Sequence, residues 1–149
     1  MSPQPAASLP APRRRSPAAD TIAPDGSEIR FLAGTAESAT RGSLVEVTLQ
    51  PGLVSIPIRH RTVEETWHVV GGSGRVWRAP AGGAERTDTV TAGDSLVIPL
   101  GCRFQFAAGP DGLRFLCFTT PPWPGAEEAV RLEEGGLGPS RLSVQTPGS

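Results

Sequence analysis

Residues 52–74 read GLVSIPIRHRTVEETWHVVGGSG, and the reading of this stretch decides the fold. His60 and two glutamates, Glu64 and Glu65, stand ahead of an apolar run that ends in glycines. On a strand, side chains alternate between two faces, so Glu65, Trp67 and Val69 share one face and His68 takes the other. The same punctuated pattern continues in both directions. SEIRFLAG, SLVEVTLQPG, RVWRAPAGG, RTDTVTAGD, SLVIPLG, RFQFAAGPDG and LRFLCFTTPP are short strand-like runs broken at Pro-Gly, Gly-Gly and Gly-Pro-Asp-Gly. Such breaks are turn chemistry, and a turn every eight to twelve residues or so without a convincing helix predicts an all-β domain, either a sandwich, jelly roll or barrel. GGSG and AGGA read as turns, since neither precedes a helix or carries the Lys-Ser/Thr pair of a phosphate loop.

Composition supports this. At 149 residues the chain suffices for one domain with a real core. Its 18 glycines and 16 prolines favour strands joined by turns over a helical bundle. The 14 basic residues, all arginine, nearly cancel 15 acidic ones, so no overall field recruits nucleic acid or an anionic membrane. The expected partners therefore exclude both. Two cysteines, Cys102 and Cys117, are too few for a disulfide framework and lack zinc-site spacing. With no long apolar span and no signal-like apolar core, the expected location is the cytoplasm.

The Pro/Ala/Arg-rich residues 1–26 are expected to be a disordered tail, with Arg13, Arg14 and Arg15 a solvated charge run. Residues 27–125 form the domain. Residues 126–149 are an extension expected to be partly disordered, in which AEEAVRLEE forms at most a helical turn or two. PPWPG, around Trp123, reads as a rigid strap over one end of the barrel.

The spacings carry a sharper resemblance. Gly52, five residues, Ile58, one residue, His60, four residues, Glu65, six residues, Gly72 resembles the first cupin motif, G-x5-H-x-H-x(3,4)-E-x6-G, with isoleucine at the first histidine. Gly93, five residues, Pro99, one residue, Gly101, two residues, Phe104, three residues, Ala108 resembles the second, G-x5-P-x-G-x2-H-x3-N, with phenylalanine for histidine and alanine for asparagine. The resemblance implies a double-stranded β-helix whose interior holds the site. Cupins hold a metal through histidines and a glutamate at these positions, and this sequence keeps only His60 and Glu65. His68, the chain's other histidine, faces the wrong way to restore the set. No cofactor is expected; a divalent metal, if bound at all, would have only His60 and Glu65 as ligands. Fold alone does not choose among the activities that cupins host.

Pairing RFQF with LRFLCF as a hairpin around AAGPDG sets Phe104 opposite Cys117 and Phe106 opposite Phe115, all on the face that the cupin resemblance, through the histidine position held by Phe104, implies is inward. Ile58 and Trp67 extend this apolar wall; Trp67 is either a stacking platform or plain core. Arg61 or Arg103 at the mouth would receive a carboxylate or phenolate. His60 and Glu65 are the catalytic candidates, because a carboxylate beside an imidazole favours the protonated ring and allows proton exchange near neutral pH; the alternative is a pair that merely satisfies itself. The expected function is an enzyme binding a largely apolar small molecule for metal-independent cyclisation, isomerisation or elimination, a chemistry suited to bacterial specialised metabolism. A binding or sensing module and a metal-dependent dioxygenase are the alternatives. Apolar Val70, Leu116 and Phe118 on the outer face predict a homodimer.

Overall fold

The computed structural model describes residues 8–143. The described residues form nine strands: β1 (Thr21–Ile22), β2 (Glu28–Ala33), β3 (Ser43–Leu49), β4 (Ile58–His60), β5 (Glu64–Ala79), β6 (Arg86–Thr91), β7 (Ser95–Ile98), β8 (Arg103–Thr120) and β9 (Ala129–Arg131). All pairings are antiparallel. Two strands, β5 and β8, are long enough to belong to two sheets at once. Residues 64–72 of β5 pair with 113–120 of β8, flanked by β7 on one side and by β3, β2 and β1 on the other. Residues 74–79 of β5 pair with 103–108 of β8, flanked by β6 and by β4 and β9. The two halves face each other across the core, which is the double-stranded β-helix that the motif spacing implied.

The crossing point corrects one expectation. GGSG is not a chain reversal, and GPDG does not close a hairpin: both lie inside continuous strands, where the β5–β8 register shifts between Val69 and Gly71 and again between Gly72 and Gly74. Phe104 therefore pairs with Arg78 and Phe106 with Val76, while Phe115 pairs with Val69 and Cys117 with Trp67. The inward stripe survives because the bulged corner changes the alternation phase between 106 and 115, so Phe104, Phe106, Phe115 and Cys117 are all buried in the core. Extra residues at the bulges bend each strand from one sheet into the other.

The described parts of both terminal segments contact the domain. In the described part of the N-terminal segment, Arg15 donates from Nε to Glu46 Oε2 at 2.7 Å, and Arg114 Nη1 reaches Glu46 Oε1 at 3.1 Å. Arg30 Nη2 donates to the Pro17 carbonyl at 2.8 Å. Burial opposes the charge on Glu46, but the two guanidiniums hold its carboxyl below the usual range. This clasp anchors residues 15–17, and of the arginine run only Arg14 makes no polar contact among the described residues.

At the other end, AEEAVRLEE forms a 3₁₀ turn at Ala126–Glu128 and then β9, which pairs with β4. Gln105, fully buried, donates to the carbonyls of Ser55 (3.1 Å) and Gly138 (2.8 Å) and accepts from Leu137 N at 2.9 Å. That side chain pins residues 137–138 over the second sheet. Residues 1–7 and 144–149 lie outside the described residues.

Candidate functional site

The barrel encloses a cavity of about 510 Å³. Its walls are apolar: Ile58 from β4, Trp67 from β5, Val47 from β3, and Phe104, Phe106, Phe115 and Cys117 from β8. Alternation on each strand sends these residues inward and their neighbours out. The rings lock one another. Trp67 stacks on Phe115 at 4.0 Å between centroids and meets Phe104 and Phe106 edge-on at 5.6 and 5.2 Å. Phe115 thus covers one face of the indole, which makes Trp67 a fixed wall on that side.

His60 and Glu65 both line the cavity, 4% and 7% exposed. His60 Nδ1 lies 3.8 Å from Glu65 Oε2, too far for a hydrogen bond. The imidazole makes no hydrogen bond to any described residue; it is held edge-on by Phe104 at 5.2 Å and Trp123 at 5.3 Å. Glu65 Oε1 accepts the indole N–H of Trp67 at 2.9 Å.

The electrostatics reverse the expected protonation. Burial lowers the imidazole pKa to about 4, against a small upward pull from Glu128. Burial also raises the Glu65 carboxyl to about 7; the Trp67 hydrogen bond and the nearby Cys117 thiol pull it back, and the carboxyl groups of Asp25 and Glu128 push it further up. Desolvation outweighs an attraction acting over 3.8 Å without a shared hydrogen bond, so burial drives the two pKa values past one another and, below about pH 7, favours the proton on the carboxyl and a neutral ring. The buried Cys117 thiol is pushed well above its ordinary range by burial and by Glu65.

Arg61 is a correction. It is exposed, does not line the cavity, and donates from Nε to the Glu127 carbonyl at 3.0 Å. Next to inward-facing His60, position 61 must turn outward. Arg103 likewise lies outside, 5.7 Å from the centre of the Trp77 ring. His68 is on the outer face with Nδ1 2.7 Å from Ser95 Oγ.

Three contributors escaped the sequence reading. Asp25 lines the cavity from the segment read as tail, its Oδ1 accepting Ser27 N at 2.9 Å and Ser27 Oγ at 2.6 Å. The Pro-Asp-Gly-Ser string was a turn signal at that place. Glu128 is buried behind His60 and accepts from Val63 N (2.7 Å), Thr62 Oγ1 (2.8 Å) and Thr62 N. Arg13, at the mouth, lies 3.8 Å from Glu37 and 5.7 Å from the centre of the Phe31 ring. Trp123 lines the cavity as the strap reading implied.

A barrel of two sheets sharing two bent strands around an enclosed site defines a cupin-fold protein. Solved structures agree. The chain is similar to the oxalate decarboxylase of Lactobacillus farciminis in its formate complex (TM-score 0.69, 20% identity, covering 85% of this chain and 37% of that one). It is similar as well to the oxalate decarboxylase of Bacillus subtilis (TM-score 0.67, 22% identity, 76% of this chain and 30% of that one) and to the coconut allergen cocosin (TM-score 0.61, 22% identity, 69% and 28%). The chain spans about a third of each of these proteins, and at such identities the likeness is one of fold. No protein-family profile and no curated protein sequence matches it.

The residues present do not fit the metal that this fold commonly carries. Ile58 and Phe104 occupy two ligand positions of the cupin motifs with side chains that cannot donate an electron pair. Among the described residues no three His, Cys, Asp or Glu side chains converge as a ligand set. Glu65 is already engaged by the indole. No helix among the described residues is long and apolar enough to cross a membrane.

Proposed function

We propose that this chain binds a largely apolar small molecule inside the barrel and moves a proton on it with His60 and Glu65, in a cyclisation, isomerisation or elimination of the kind found in bacterial specialised metabolism. The observation that carries the reading is the pair itself: a buried imidazole and a buried carboxyl, 3.8 Å apart, on the wall of a cavity of about 510 Å³ lined by aromatic rings, where burial lowers the one to about 4 and raises the other to about 7. Environments that push two titratable groups past one another assign a proton donor and a proton acceptor. Here Glu65 donates and His60 accepts. Enclosure orients a flexible substrate and keeps water from the reacting atoms.

The substrate is sought by native mass spectrometry of the purified protein, which retains a molecule held in the cavity. With that substrate, His60→Gln and Glu65→Gln are each expected to lower kcat by about 10²–10⁴-fold. The pH profile of kcat/KM is expected to be flat between about 4 and 7, falling on the acid side as the ring protonates and on the basic side as the carboxyl ionises. Undiminished turnover by either folded variant removes that residue from the chemistry.

The dimer is proposed on the same footing. Phe118 and Val97 are 43% and 39% exposed on the outer face of the first sheet, with Leu116 beside them. Phe118→Glu is expected to convert a dimer into a monomer in sedimentation velocity at unchanged thermal stability; a monomeric parent protein defeats the idea.

A further inference from the structure

The charge of the cavity points to the kind of head group its ligand carries. Asp25 is 7% exposed, and only one of its carboxyl oxygens is used by the protein: Oδ1 takes both Ser27 bonds, while Oδ2 receives none from the described residues. The group sits on a fixed turn. Gly26 N donates to the Ala23 carbonyl, Ala23 N to that of Ser27 and Ile56 N to that of Asp25, each at 2.9 Å. A buried carboxyl with a free oxygen on a rigid support is a preorganised acceptor.

The surroundings leave it without a cation inside. The acidic residues lining the cavity are Asp25, Glu37 and Glu65, and its basic ones are His60 and Arg13. Burial keeps His60 neutral, and Arg13 is at the mouth against Glu37 and Phe31. Glu128 lies behind His60, and the thiol of Cys117 adds no positive charge. Burial raises the Asp25 carboxyl above its ordinary value, while the Ser27 hydrogen bonds and, from outside the barrel, Arg131 pull it back; Arg131 Nε donates to the Pro24 carbonyl at 2.9 Å. An anionic head entering this chamber would meet carboxyl groups and no counter-charge. An ammonium would gain a charge-assisted hydrogen bond to Oδ2.

We infer that the ligand is an amine with an apolar body, its ammonium seated on Asp25 and its hydrocarbon among Trp67, Phe106 and Phe115. This rests on the barrel interior being the small-molecule site, and it leaves His60 and Glu65 to the proton transfer.

Three probes of one shape separate charge from shape: 2-phenylethylamine, 2-phenylethanol and phenylacetate, titrated calorimetrically near pH 6, where the Glu65 carboxyl, raised to about 7, still holds its proton. The ammonium is expected to bind at least about tenfold more tightly than the alcohol, with the carboxylate weakest. Asp25→Asn, which keeps the acceptor for Ser27, is expected to bring the amine down to the level of the alcohol and leave the alcohol unchanged. Equal binding of alcohol and amine by the parent protein, a preference for the carboxylate, or an amine preference that survives in Asp25→Asn overturns the inference. In those cases a probe still occupies the barrel, so the small-molecule reading stands; binding of none of the three overturns both.

Discussion

Gly72→Ala is expected to cost about 3–5 kcal/mol of stability, whereas Gly82→Ala costs about 1, although both glycines have nearly the same backbone conformation (φ +71° and +70°). The shared part is the left-handed φ. The difference is space. A methyl group on Gly72 would run into the backbone carbonyl of Gly112, where β5 crosses β8, while one on Gly82 meets nothing within 4 Å. A backbone carbonyl cannot swing aside as a side-chain tip can, so the two shared strands would have to part at the corner that joins the sheets. Urea titration of both variants measures the gap. Equal losses would mean that the corner has slack and that close approach is not what selects glycine there.

The second large effect is on the pH dependence of stability. Between about pH 4.5 and 7 the folded protein keeps a proton on Glu65 that the unfolded chain has lost, so this group's contribution falls as pH rises through that window. His60 has the opposite sign. Between about pH 4 and 6.5 the unfolded chain binds a proton that the folded ring refuses, so its contribution rises with pH. Over the shared window the two slopes cancel, and the parent protein is expected to be nearly flat where either group alone would tilt it. Glu65→Gln removes one slope: relative to the parent, its stability should climb by about 2–3 kcal/mol from pH 4.5 to 7. His60→Gln removes the other and should decline relative to the parent by about the same amount from pH 4 to 6.5. Groups common to all the proteins drop out of the differences. Parallel curves for parent and Glu65→Gln would show that the carboxyl is ionised when folded, and the donor role assigned to it would go with it.

Much of the site could be read in advance from the spacing shared with the cupin motifs, extended along each strand by alternation. Together these placed His60, Glu65, Ile58, Trp67 and the four β8 residues inward, and all eight line the cavity, although Phe115 and Cys117 reach it through the bulged corner and not through the expected hairpin. The same rule should have kept Arg61 out of the mouth, since it is one residue from His60. The strand partners were less legible: glycine strings read as reversals are bulges in through-running strands, because a positive φ serves a bulge as well as a turn. Asp25 and Glu128 lie 35 residues before His60 and 68 after it, and no local pattern connects them to the cavity.

By itself, then, the sequence determined the all-β class, through period-two alternation and turn chemistry, and the candidate pair with its inward face, through the spacing it shares with the cupin motifs, because both are local properties of the chain. Only the tertiary structure decided the protonation of that pair, the seating of the chain ends and the acidic character of the cavity. Those properties follow from how much water is excluded and which distant charges are brought near. Both are sums over residues that meet only when the sheets close.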